Sequence, residues 1–244
     1  MPQVEPRVEL LAHTPDALSI IYAAFRQCYH AGFVGDLWEK LVSGEVAREK
    51  QAEFVEKLLE SGHVSPIEHV TFTFAVSGVS RALTHQLVRH RVASYSQQSQ
   101  RYVDGSDFNY IVPPAIMTNQ AAKRLFEKCM LDLRRTYREL KYILEENGRA
   151  EKAAEDARFV LPQAAETRVV LSMNCRSLLN FFEQRCCNRA QWEIRRVAFS
   201  CLKLCREVLP AIFASAGARC EKLGYCPEGE KFTCGRYPLP RSIA

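Results

Sequence analysis

The chain has 244 residues, 47% of them hydrophobic and 25% charged, with 11 Gly and 11 Pro. That balance excludes collagen-like, mucin-like and disordered classes, and a chain of this size buries about 70–75% of its extended surface without disulfide or metal staples. Thirty-three Lys and Arg against 28 Asp and Glu leave a formal charge of +5, which suits anionic partners without choosing among nucleotides, nucleic acid and acidic surfaces.

No apolar run reaches the roughly 18 residues that cross a bilayer. The N-terminus, MPQVEPRVELL, carries acids and prolines instead of a basic-then-apolar signal design. A soluble, cytoplasmic protein is expected. Repeats and low-complexity linkers are absent, so a single compact unit is expected.

In chain order, Glu45 to Leu59 places Val46, Phe54, Val55, Leu58 and Leu59 among charges and predicts an amphipathic helix. Ser61-Gly62 ends it, since Gly takes the left-handed cap without a Cβ penalty, and a loop follows over His63-Val64-Ser65-Pro66. Val70 to Val76 alternates Val70, Phe72, Phe74 and Val76 with Thr71, Thr73 and Ala75, the pattern of a half-buried strand. Ser80 caps a predicted helix to about Arg91. Ser94 to Gln100 is too polar for a core element. Asn109 to Val112 reads as a short strand before Pro113-Pro114. A long charged helix covers Asn119 to Asn147, stopped by Gly148, and a shorter one Arg149 to Arg158 ends at Leu161-Pro162. Thr167 to Met173 predicts a strand; Ser177 to Arg185 and Gln191 to Ala216 predict helices, the second bent at Pro210. Strands set among longer helices give an α+β or mixed α/β class.

Common chemical signatures are missing: no G-x-G-x-x-G, P-loop, H-E-x-x-H or G-x-S-x-G occurs. His85 and His90 stand about 500° apart on a helical wheel, a poor metal pair, and no metal site is expected. Of the ten cysteines, Cys28, Cys129, Cys175, Cys201 and Cys205 are expected to be buried thiols. Cys220, Cys226 and Cys234 lie in a Gly-containing tail without a C-x-x-C pair, which favours incidental thiols over zinc and leaves a redox or metal role as the lesser reading.

One segment carries unusual chemistry. RHRVASYSQQSQRY, Arg89 to Tyr102, combines three Arg and one His with three Ser and three Gln. Guanidinium forks bind phosphate, hydroxyls complete the cradle, and amides read heterocycle edges. A polar surface loop has the same composition, so composition alone leaves both readings open. The segment resembles the R-H-R-x-x-S-x-N-x-x-S-x-R-Y signature of the flavin-dependent thymidylate synthases, matching at Arg89, His90, Arg91, Ser94, Ser99, Arg101 and Tyr102. Ser96 stands for a frequent Asn and Gln97 for a frequent Glu. Similar blocks follow the family order: Gly62 to His69 (G-H-x-[ST]-P-x-E-H), Ala157 to Pro162 (A-R-x-x-L-P), Asn174 to Phe181 (N-x-R-S-L-x-N-F) and Ala190 to Ile194 (A-Q-W-E-I).

The resemblance implies an α+β protomer with a twisted, largely antiparallel sheet flanked by helices, assembled as a homotetramer whose sites are shared between subunits. It implies a synthase-like domain over 1–219 and a Cys-containing extension over 220–244. The implied reaction makes dTMP from dUMP with methylenetetrahydrofolate as one-carbon donor, FAD as hydride carrier and NADPH as reductant, and with no attacking cysteine. Cys175, Cys186 and Cys187 are accordingly expected to pack. Implied FAD contacts are Ser65, Arg89, His90, Arg91, Gln97, Asn174, Arg176 and Asn180, with His63 at the flavin or folate face. Implied dUMP contacts are Gln86, Leu87, Val88, Arg89, Gln97, Gln98, Ser99, Gln100, Arg101, Arg158 and Arg185, and Arg185 is the catalytic group at the uracil. Trp192, Phe181 and Phe182 are expected in the core. Absent the resemblance, Arg158 and Arg185 read as salt-bridge residues near Glu155, Asp156 and Glu183. The competing readings are a basic nucleic-acid-binding module and a non-catalytic nucleotide-binding relative; the resemblance itself implies neither nucleic-acid nor membrane partners.

Overall fold

The computed structural model describes residues 4–240. Among the described residues there are four strands, β1 (Arg7–His13), β2 (Thr71–Ser80), β3 (Ser94–Gln97) and β4 (Glu166–Asn174), in the order β1-β2-β4-β3 and antiparallel. The longer helices are α1 (Ala17–Tyr29), α3 (Arg48–Glu60), α6 (Gln120–Leu144), α8 (Cys175–Arg185) and α9 (Trp192–Val208). Shorter ones are α2 (Trp38–Val42), α4 (Arg81–Leu87), α5 (Pro114–Met117), α7 (Ala153–Ala157), α10 (Pro210–Phe213) and α11 (Arg219–Leu223). No helix among the described residues is long and apolar enough to cross a membrane.

The described chain forms two compact units, each drawn from three segments: residues 4–7, 76–89 and 95–170 make the first, and 8–75, 90–94 and 171–240 the second. The divisions fall inside each of the four strands, except the one after residue 89, which lies between α4 and β3.

In the first unit, Val76 and Val79 of β2, Leu83 and Leu87 of α4, and Val169 of β4 are buried. Tyr110, Val112 and Met130 form a further cluster with Phe108 and Phe126 around them. Ser80 caps α4 as expected, its Oγ accepting the Leu83 N–H at 3.0 Å. The helix stops at Leu87 instead of Arg91, because the Tyr95 hydroxyl donates to the Leu87 carbonyl at 2.9 Å and takes up its C-terminal acceptor. The polar segment 94–97 is a strand, contrary to its composition. Its inward side chain Gln97 donates to Thr84 Oγ1 at 3.0 Å and Thr167 Oγ1 at 3.2 Å, so the polarity is satisfied internally. The expected strand at Asn109 to Val112 reduces to one bridge between Tyr110 and Ala165. Asn119 caps α6, and Gly148, at φ +76°, lies beyond its end. Of the helix expected over Arg149 to Arg158, only Ala153–Ala157 is α-helical.

The second unit is organised by aromatic rings. Phe72 and Phe74 of β2 stack at 6.2 Å, Phe213 of α10 meets Phe72 edge-on at 5.6 Å, and Phe182 and Phe181 of α8 continue the series at 5.9 and 5.7 Å. Such pairs add about 0.5–1.5 kcal/mol each beyond the area they bury. Gln51 of α3 is fully buried and fully used: Ser19 Oγ donates to its Oε1 at 2.9 Å, and its Nε2 donates to the carbonyls of Leu41 and Val46 at 3.2 and 2.9 Å. Gln191 caps α9, which breaks at Leu209 and restarts at Pro210 as α10, a sharper interruption than the expected bend. Cys28 and Cys129 are exposed, not buried: each sits on an outward face of its helix, and Cys28 donates its S–H to Ala24 O at 3.4 Å. Trp192 is only half-buried, whereas Phe181 and Phe182 are core residues as expected.

Candidate functional site

The expected ligand contacts divide between the units. Gln86, Leu87, Val88, Arg89, Gln97 to Arg101 and Arg158 lie in the first; His63, Ser65, His90, Arg91, Asn174, Arg176, Asn180 and Arg185 lie in the second.

In the first unit, two of the implied dUMP contacts share one carboxyl-bearing residue. Arg101 Nη2 pairs with Glu155 Oε2 at 3.0 Å, while Arg158 Nε donates to the Glu155 carbonyl at 3.1 Å. Ser99 Oγ accepts the Arg101 N–H at 3.1 Å and fixes that turn. Sequence reasoning missed Arg81, which sits beside Arg158: burial, then the Arg158 charge, lowers its pKa. The readable signal was its position. A cation in the first turn of α4, next to the Ser80 cap, faces the positive end of the helix and is unfavourable unless an anion is near. Arg101 and Arg158, both held by Glu155, with Arg81 beside Arg158, gather three guanidiniums into a locally cationic neighbourhood suited to a dianionic phosphate. Leu87 is buried and Val88 exposed; Gln97, one of the residues implied for both ligands, is engaged with Thr84 and Thr167.

In the second unit, the 3₁₀ turn Ser65–His69 and the start of α8 come together. Cys175 N–H donates to Val70 O at 2.9 Å, and Arg176 pairs with Glu68. Asn174 caps α8 through its Oδ1, which accepts the Ser177 N–H at 2.8 Å, so its Nδ2 points elsewhere as a donor. Asn180 accepts from Gln184 at 2.7 Å. His63 is held between the Tyr29 hydroxyl at 2.8 Å and Ser65 Oγ at 3.2 Å; Tyr29 was not foreseen and gives no local sequence signal.

At the other end of α8, Arg185 Nε donates to His90 Nε2 at 3.0 Å. The His90 ring meets Phe181 edge-on at 5.0 Å. Burial, then the Arg185 charge, lowers the His90 pKa from 6.5 to about 4, so near neutral pH the ring is uncharged and accepts. Glu183, the ion-pair partner that proximity in sequence suggested, instead faces Arg219 at 3.7 Å. Among the described residues no carboxylate pairs with Arg185, whose own pKa burial lowers. The thiols next to these motifs are poor nucleophiles: burial pushes Cys186 up to about 12 and raises Cys175 further. Cys187 is half-buried.

A family model described as thymidylate synthase complementing protein matches residues 9–211. A flavin-dependent thymidylate synthase of Nitratidesulfovibrio vulgaris is 68% identical over 244 residues, covering 100% of both chains. The Geobacter sulfurreducens protein of the same name is 45% identical over 232 residues, 94% of each chain. The fold is similar to a crystal structure of the Helicobacter pylori flavin-dependent thymidylate synthase complexed with FAD and dUMP, with a TM-score of 0.64 and 22% identity over 86% of this chain and 99% of that one. The chain belongs to the flavin-dependent thymidylate synthase family.

Proposed function

We propose that the chain makes dTMP from dUMP, using methylenetetrahydrofolate as one-carbon donor, FAD as hydride carrier and NADPH as reductant. Family membership over most of the chain supports the reaction. The observation that carries the chemistry is the state of Arg185, anchored through Nε on an uncharged histidine and free of any carboxylate among the described residues. A guanidinium held this way offers its terminal N–H groups to a uracil oxygen. Negative charge drawn to that side of the ring stabilises the reacting pyrimidine without a sulfur adduct. The raised thiols of Cys175 and Cys186 agree with a route that uses no cysteine.

Arg101 and Arg158, with Ser99, are proposed to hold the dUMP phosphate, and Arg81 adds charge beside them. Gln86, Leu87, Val88, Arg89, Gln97, Gln98 and Gln100 are proposed to complete the dUMP contacts. The donor set proposed for FAD fits a pyrophosphate joined to a flavin. Arg176 keeps 55% of its side chain exposed despite its pair with Glu68, Arg91 is exposed, and Asn174 retains an unused amide donor. Ser65, Arg89, His90, Gln97 and Asn180 belong to that set, with His63 at the flavin or folate face. When bound, FAD supplies the hydride that completes the methyl group. Along α6, exposed Leu125, Leu131, Tyr142 and Ile143 support assembly into a homotetramer, and a cytoplasmic location is proposed.

The test is tritium release from C5-labelled dUMP, with and without methylenetetrahydrofolate and NADPH, by protein whose flavin absorbance bleaches with NADPH. Arg185→Ala should slow release by about 10²–10³-fold, as loss of one charge-stabilising donor does elsewhere. Protein that takes up no FAD, or equal release by both proteins, refutes the proposal.

A further inference from the structure

The segment just after Arg101 makes none of the ligand contacts proposed above, yet one face of α6 holds it along its length, all within the first unit. Arg134, Tyr137, Arg138 and Lys141 stand at i, i+3, i+4 and i+7, the spacing that puts side chains on one side of a helix. Lys141 Nζ donates to Asp104 Oδ2 at 3.0 Å, and the Gly105 N–H donates to Tyr137 Oη at 3.1 Å. Arg138 Nε donates to the Ser106 carbonyl at 2.9 Å, and its Nη2 pairs with Asp107. Arg134 donates to the Phe108 carbonyl and lies 5.4 Å from the centre of the Phe108 ring. Each residue from 104 to 108 is therefore engaged by α6. A merely solvated helix face pairs its charges one turn along; Lys141 does reach Glu145 at 3.6 Å, but Asp104, 37 residues away, is nearer. The segment is also tied to itself and to the Arg101 turn: Asp104 Oδ1 accepts the Ser106 N–H at 2.9 Å, and the Ser99 carbonyl accepts the Val103 N–H at 3.1 Å. Tyr137 is fully buried, and a Cβ added to Gly105 would lie 3.1 Å from both Tyr137 Cζ and Leu161 Cδ1. The loop backbone thus packs between α6 and the turn that follows Arg158.

We infer that Tyr137, Arg138 and Lys141 are positioning residues for dUMP. By fixing 104–108 against α6 they set where Ser99 and Arg101 stand relative to Arg158, and so whether two guanidiniums from distant parts of the chain meet on one phosphate. The inference rests on the phosphate role proposed for Arg101 and Arg158. The three residues act through the loop and not on the substrate. A displacement of about 1 Å at a binding group can cost about 10²-fold in rate, and losing one of several anchors moves the loop less than that. Tyr137 is the sharpest point of the device, because its hydroxyl takes a buried backbone N–H that would otherwise lack a partner.

The test uses full-length protein carrying FAD, with Tyr137→Phe, which deletes one oxygen, and Lys141→Met, which deletes one charge. Amide hydrogen exchange without dUMP, read by peptide mass spectrometry, should be faster over 99–108 in both variants than in the wild type. Calorimetric titration with dUMP and with deoxyuridine isolates the share of affinity that the phosphate supplies. The ratio of the two affinities should fall about 5–10-fold in both variants, with deoxyuridine binding and FAD uptake unchanged, and Lys141→Arg should recover most of it. Exchange as slow in both variants as in the wild type overturns the inference, as does faster exchange with an unchanged ratio. Equal weakening of dUMP and deoxyuridine, the mark of general damage, overturns it too. Arg101→Ala separates this from the reading beneath it. If that change leaves the ratio intact, the phosphate assignment itself falls; if it collapses the ratio while both α6 variants leave it alone, the positioning role alone falls.

Discussion

Acidification should destabilise the protein through His90, and the size of the effect follows from its surroundings. An unfolded histidine titrates near 6.5, whereas burial and the Arg185 charge hold the folded ring to about 4. Above 6.5 the ring is neutral in both states and its contribution to stability is complete. As pH falls from 6.5 toward 4 the unfolded chain takes a proton that the folded chain refuses, so stability is lost over that interval. At about 1.36 kcal/mol per pH unit, the full interval corresponds to about 3 kcal/mol; solvent at the half-buried ring reduces this to about 1–2 kcal/mol, more than half of it gone by about pH 5. The perturbation is His90→Gln, whose carbonyl oxygen can still accept from Arg185 Nε but which does not titrate. Urea unfolding midpoints, converted with measured slopes, should fall between about pH 7 and about pH 5 by about 1 kcal/mol more in the wild type than in the variant. Identical pH responses in the two proteins would refute the assignment of a neutral, proton-refusing His90.

Two further changes probe the framework. Gln51→Leu strips the buried Ser19 hydroxyl and the Leu41 and Val46 carbonyls of their partner, and should cost about 2–4 kcal/mol in urea unfolding; a loss under about 1 kcal/mol would mean these groups find other partners. Gly78→Ala places a Cβ 2.1 Å from the Glu5 carbonyl oxygen at φ +66°, so thermal unfolding should reveal a loss above about 2 kcal/mol, and an unchanged midpoint would contradict the close approach.

Elements whose cause is local were readable in the sequence. The Phe and Val alternation of β2 is buried on one face as expected, Ser80 holds the Leu83 N–H as its cap, and the helices expected from Asn119 and Gln191 start there, each capped by that residue's side chain. Elements whose cause is distant were not. Gln97 turns 94–97 into a strand through Thr84 and Thr167, the latter 70 residues away, and nothing in the segment announces those acceptors. Helix α1 was missed although its apolar residues keep a helical period as strong as those of α3 and α8, which were expected. At the candidate site the residue types were visible and their pairings were not. The hydrogen bond from Arg185 to His90 joins positions 95 residues apart, and Glu155 serves Arg101 with its carboxylate and Arg158 with its backbone, a split no spacing rule supplies.

The interleaving of segments also governs how the chain comes off the ribosome. Phe72 is synthesised well before its edge-on partner Phe213, and everything between residues 76 and 170 except 90–94 belongs to the other unit. At about 5–20 residues per second, the intervening stretch takes about 5–30 s to emerge. Throughout that delay the aromatic face of β2 lacks the helices that finally cover it, a transient apolar exposure of the kind that favours aggregation, and the second unit is completed only when its last-made residues arrive.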